Sequence, residues 1–120
     1  MKFLSIWTPD AKTASRPPSN AYMAEMGRLI DEGMKAGTLL ATGGLLPVTQ
    51  GGARVRSFKG KITVIDGPFT ESKELVAGFA ILQANSKDEA IEGVKRFLKV
   101  AGDGESELRQ IMQPAEERAR

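Results

Sequence analysis

Ala77-Gly78-Phe79-Ala80-Ile81-Leu82-Gln83-Ala84-Asn85-Ser86-Lys87-Asp88-Glu89 carries a strand directly into a helix, and its reading decides the fold. Phe79 and Ile81 fall on one side of an extended chain and Ala80 and Leu82 on the other, so a strand over 77–84 is apolar on both faces. Ser86 to Glu89 then forms a capping box, in which the serine oxygen accepts from the Glu89 amide and the Glu89 carboxylate reaches back to the Ser86 amide. Ala90, Ile91, Val94, Phe97, Leu98 and Ala101 recur at helical spacing up to Gly102. A last strand runs from Ser106 to Met112, stopped by Pro114, and a charged tail follows over 115–120.

The N-terminal half repeats the pattern. Residues 2–7 alternate with Phe3 and Trp7 on one face and Leu4 and Ile6 on the other. The stretch from Thr8 to Pro18, with three prolines, reads as a loop and a candidate lid. Ser19 caps a helix whose stripe is Tyr22, Met26, Leu29, Ile30 and Gly33, ending at Gly37. Residues 39–46 read as a strand in which Gly43-Gly44 marks a bulge or a close approach to the backbone. Ala53 to Phe58 and Lys61 to Ile65 form a hairpin about Lys59-Gly60, where glycine supplies the positive φ of a tight turn.

The order is strand, helix, strand, hairpin, strand, helix, strand. Without the hairpin this is the split βαβ of an α+β, ferredoxin-like fold, with both helices on one face of an antiparallel sheet. Strands 2–7 and 77–84 are apolar on both sides, so the other face needs cover, and a second copy is the simplest cover. A homodimer, closed as a dimeric α/β barrel, is the expectation.

Composition bounds the rest. With 120 residues, 41% hydrophobic and 27% charged, the chain is expected to form one domain with a buried core. It has no cysteine, which removes disulfides and thiolate ligands and suits a reducing compartment. The apolar stretch at the N-terminus ends at Thr8-Pro9-Asp10, too short for a signal core or a membrane span, so a cytoplasmic protein without a membrane role is expected. Net charge is +2 with both signs interleaved, which argues against nucleic acid as a partner.

Between hairpin and strand lies Asp66-Gly67-Pro68-Phe69-Thr70-Glu71-Ser72-Lys73-Glu74. This run resembles the signature of the DGPF, or YCII-related, family. Gly43-Gly44-Leu45-Leu46-Pro47, Ala77-Gly78-Phe79 and Glu107-Leu108-Arg109 are also similar to its pattern, so the resemblance spans nearly the whole chain. It implies the dimeric ferredoxin-like architecture. It implies no settled activity, since relatives are described as small-molecule enzymes or named for transcription initiation and sigma factors. Related YciI-type proteins are expected to use a His and Asp pair in a cleft. This chain has no histidine, so only the aspartate carries over, onto Asp66.

Asp66 has two readings. Asp-Gly-Pro at a strand end is a self-sufficient turn, with the carboxylate accepting from nearby amides and Phe69 as anchor. Alternatively, apolar Phe69 and the nearby Glu71 and Glu74 raise its pKa and make it a general acid or base. A small-molecule pocket would draw on Trp7, Thr42, Asp66, Phe69 and Arg109. Arg54 and Arg56, on one face of the hairpin, suit an anion or simply a wet surface, and Lys73 is read the same way. A metal site is not expected, because only carboxylates remain as ligands and their spacing fits no calcium loop. The glycine pairs fit no phosphate loop or dinucleotide fingerprint, so no nucleotide cofactor is implied. Without histidine a Ser-His-Asp hydrolase is excluded. The chain therefore reads as a small-molecule binder or enzyme, with a non-catalytic regulatory or interaction protein linked to transcription as the alternative.

Overall fold

The computed structural model describes residues 1–65 and 75–114. Its elements are β1 (Lys2–Pro9), α1 (Ala11–Ala14), α2 (Asn20–Ala36), β2 (Leu39–Gly44), β3 (Arg54–Phe58), β4 (Lys61–Ile65), β5 (Gly78–Gln83), α3 (Lys87–Ala101) and β6 (Gly104–Gln110). The main sheet runs β2-β5-β1-β6, and each neighbouring pair is antiparallel. With the separate β3–β4 pair set aside, this is the ferredoxin-like order expected from the periodicity.

Capping residues set the helix limits. Ser19 accepts from the Tyr22 amide at 3.0 Å, and Gly37 closes α2 with φ of 77°, a left-handed conformation that glycine adopts without a Cβ penalty. Ser86 accepts from the Glu89 amide at 3.1 Å, as the capping box predicts. The second half of that box differs, because the Glu89 carboxylate accepts from the Asn85 amide at 3.0 Å rather than from that of Ser86. The Glu89 carboxylate thus takes its donor from the residue before the cap.

Cross-strand register assigns the two faces of the sheet. Phe3 stands opposite Leu82 and Ser5 opposite Leu108, facing the helices. Phe3 is 2% exposed and packs with Ala84, Ala90, Leu82 and Leu108, which is the centre of the core. Leu4 and Ile6 point the other way, beside Ile81 and Phe79 on β5 and Arg109 and Glu107 on β6. Neither α2 nor α3 covers that face, since both pack on the Phe3 side and against each other.

Three local expectations shift. β1 continues through Thr8 and Pro9, which lie opposite Glu105 and Gly104, because the neighbouring strand extends to meet them. One turn of helix, α1, sits within the stretch read as loop, with Asp10 accepting from the Thr13 amide at 2.7 Å. The bulge in β2 falls between Leu39 and Ala41, while Gly43 serves the close approach: a Cβ there would lie 3.0 Å from the Phe79 ring. The hairpin turn uses positive φ at both Lys59 (48°) and Gly60 (80°), the two-residue geometry that matches strand twist.

Candidate functional site

The C-terminal end of β1 collects the features from which a site can be built. Trp7 turns toward the helices and meets Phe97 of α3 edge-on, with ring centroids 5.4 Å apart at 87°. Both rings are only half-buried. Glycine makes room for the indole, since a Cβ on Gly104 would stand 2.6 Å from its Cη2. Gly78, opposite Trp7, leaves the backbone of β2 free to approach, with the Gly43 carbonyl 3.1 Å from the place of a Cβ.

Ser106 stands opposite Trp7 on β6. Its Oγ is buried and has no hydrogen-bond partner among the described residues. A buried hydroxyl in that condition costs about 1–3 kcal/mol in a folded chain, so this end of the sheet holds an unused hydrogen-bonding group beside an aromatic wall.

Backbone bonds fix how the chain enters and leaves this end. The Ala77 amide donates to the Trp7 carbonyl at 2.8 Å, and the Leu45 amide donates to the Ala77 carbonyl at 2.8 Å. The chain therefore re-enters the fold at Ala77, beside Trp7. On the other flank the Asp10 amide donates to the Asp103 carbonyl at 3.1 Å, and Thr13 of α1 lies against Gly102. The Thr13 amide bonded to the Asp10 carboxylate, with help from the Thr13 hydroxyl, holds that carboxyl below the ordinary range.

The residues singled out from sequence are distributed unevenly. Trp7 is at this end, inward. Thr42 lies on β2 opposite Ala80, on the helix side, and its hydroxyl donates to the Phe79 carbonyl at 2.8 Å, so its proton is committed to the sheet. Arg109 is opposite Leu4 on the uncovered face, away from Trp7. Asp66 and Phe69, with Glu71, Lys73 and Glu74, lie outside the described residues. Arg54 and Arg56 share one face of the hairpin with Thr63 and Ile65. Phe97, Ser106 and Gly104 were not singled out as site residues, although the alternation Ser106-Glu107-Leu108 already places Ser106 on the same face as inward Leu108.

Among the described residues no group of three or more His, Cys, Asp or Glu is placed to hold a metal ion. No described helix is long and apolar enough to cross a membrane. A recess of about 330 Å³ lies at the end of β1 away from Trp7, between Lys2, Gln83, Ile111 and Met112.

Comparison with known proteins gives this geometry a setting. A protein of Rhizobium meliloti (strain 1021) described as uncharacterized is 32% identical over 78 residues, which are 65% of this chain and 62% of that protein's length. The structure of 5-chloro-2-hydroxyhydroquinone dehydrochlorinase from Burkholderia phenoliruptrix AC1100, in complex with 2,5-dihydroxybenzoquinone, superposes with a TM-score of 0.52. It is 21% identical, and the alignment covers 97% of this chain and 98% of that one, a likeness of fold. The YCII-related domain model matches residues 1–114, so the DGPF-type run, the flanking glycine motifs and the sheet order have one source: the chain belongs to the YCII-related family.

Proposed function

We propose that this YCII-related protein binds, and chemically transforms, a small planar molecule at the Trp7 end of the sheet. The observation that carries this reading is the buried Ser106 hydroxyl, without a partner among the described residues, next to the edge-to-face pair of Trp7 and Phe97. A half-buried aromatic wall with one convergent polar group is the usual composition of a small-molecule site. The Asp66-Gly67-Pro68-Phe69 run is assigned the reactive group on the strength of its carboxylate, and the chain that follows it is back in the sheet beside Trp7 by Ala77. In this reading Asp66 is general acid or base and Phe69 a second wall. Thr42 borders the site from β2. Arg109, on the uncovered face, lies across the sheet from Trp7 and belongs instead to the surface that a homodimer would cover.

The dehydrochlorinase with the similar fold was captured with 2,5-dihydroxybenzoquinone, so hydroxylated aromatic rings and their quinones are the first probes. A thermal-shift series with such compounds tests the reading. At 100 times Kd a ligand adds about 2.7 kcal/mol, or roughly 10 °C in Tm for a domain of this size. An Asp66→Asn variant that keeps its Tm and the ligand shift but loses turnover supports the acid/base role. A fall in Tm with no change in turnover assigns Asp66 to the turn alone.

A further inference from the structure

We propose that the β3–β4 hairpin is an intersubunit arm, laying Val55, Ile62 and Val64 on the uncovered sheet face of a second copy of this chain. The inference rests on the homodimer reading and adds to it the element that makes the contact. Register places Val55 opposite Val64 and Ile62 opposite Ser57, so the three apolar side chains share one face of the ribbon. They are 65%, 69% and 64% exposed for Val55, Ile62 and Val64. Among the described residues β3 and β4 pair only with each other, and a lone two-stranded ribbon is marginal unless a hydrophobic face is packed.

The chain itself offers the matching floor. Leu4, Ile6, Phe79 and Ile81 lie together on the face that neither long helix covers. Glu105, Glu107 and Arg109 of β6 border it, opposite Thr8, Ile6 and Leu4. The segment 53–65 carries Arg54, Arg56, Lys59 and Lys61 and no acid. The ribbon is wholly basic and the border carries two acids to one base, a net attraction that steers the two surfaces toward each other.

Area distinguishes a second copy from an unrelated partner. The three exposed side chains present on the order of 300 Å² of apolar surface, a patch of the size that marks an interaction site. A stable interface needs about 800 Å² from each partner, so one arm alone falls short. In a twofold pair each subunit gives one arm and receives one, and the contact area counts twice on each side.

The cysteine-free chain permits a direct test. The triple variant Val55→Thr, Ile62→Thr, Val64→Thr keeps β-branched residues in the ribbon while removing its apolar face. Sedimentation equilibrium is expected to show a dimer for the native chain and a dissociation constant raised at least 100-fold for the variant, with the far-UV spectrum of the fold retained. Ile62→Cys, labelled with a benzophenone maleimide and irradiated, is expected to give a product of twice the chain mass, cross-linked to β1 or β5 peptides. A native chain that sediments as a monomer overturns both the arm and the dimer. A native dimer whose constant is unchanged in the triple variant, or whose cross-links stay within one chain or reach only the partner's helices, overturns the arm and leaves the dimer standing.

Discussion

Replacing Gly104 by alanine probes the packing on which the candidate site depends. A Cβ there would lie 2.6 Å from the Thr8 carbonyl oxygen, 2.6 Å from Trp7 Cη2 and 2.7 Å from Pro9 Cα. Two of those neighbours are backbone of the adjacent strand, and the third is a rigid indole held against Phe97. None is the free end of a flexible chain, so β1 and β6 must separate or the indole must leave its place. Overpacking of this kind costs roughly 1–3 kcal/mol, and backbone obstruction puts Gly104→Ala near the upper end. At a urea slope of about 2 kcal/mol per M, the unfolding midpoint should fall by roughly 1.5 M. Trp7 is the sole tryptophan, so the same titration followed by its emission reports both stability and the indole's surroundings. Gly27→Ala is the control: it lies in α2 with nothing within 4 Å of the new Cβ, and should gain about 0.5–1 kcal/mol from helix propensity. A Gly104→Ala protein within about 0.5 kcal/mol of the native chain, with its emission unmoved, would refute the packing described at this end.

Other parts of the structure make equally definite predictions. Phe3→Ala, at the most buried large side chain, should cost about 3–5 kcal/mol in chemical denaturation; a loss under 1 kcal/mol would mean that Phe3, Leu82 and Leu108 are not the core. Ser86→Ala should cost about 1 kcal/mol through the lost cap on α3, whereas Ser86→Asp should be close to neutral by the same assay. For Asp10 the folded pKa is lowered, so its cap on α1 is complete above the ordinary carboxylate value of about 3.9 and is lost as pH falls through the lowered value. The Thr13 amide resonance should follow that transition, and Asp10→Asn should abolish it; a midpoint above the ordinary value would contradict the assignment.

Much of the fold is legible in the residues because local and long-range signals agree. Ser19 and Gly37 bound α2, Ser86 and Gly102 bound α3, and Ala90, Val94 and Ala101 of the α3 stripe are buried as their spacing requires, whereas the α2 stripe is only partly covered. Pro9 is the instructive exception. Proline after threonine reads as punctuation, yet Pro9 ends a paired strand because β6 starts early, at Gly104, and Gly104 leaves room for Trp7. Pairing between distant segments decided that boundary, and no local preference encodes it. The bulge at Leu40 is hidden for the same reason, since Gly43-Gly44 advertises flexibility while its use is to admit the Phe79 ring.

The candidate site was less legible. Trp7 drew attention as an aromatic, but its partner Phe97 read as one more residue of a helix stripe. Ser106 carried no motif, and its interest arises only because register sets it beside Trp7 in a buried position without a partner among the described residues. Thr42 and Arg109 were grouped with Trp7 by chemistry alone, and strand register separates them: Thr42 shares the helix side, whereas Arg109 faces away. A side chain's face depends on which strand it meets, and that is fixed by the whole sheet.

The most direct test of the central claim is a titration of Trp7 emission with whichever hydroxylated aromatic raises the Tm most. Binding at the Trp7 end of the sheet predicts a saturable change in emission whose midpoint matches the constant from thermal shift, and Ser106→Ala should weaken both together. A ligand that raises Tm while leaving the Trp7 emission and the Ser106→Ala affinity untouched would place the site elsewhere and contradict the account.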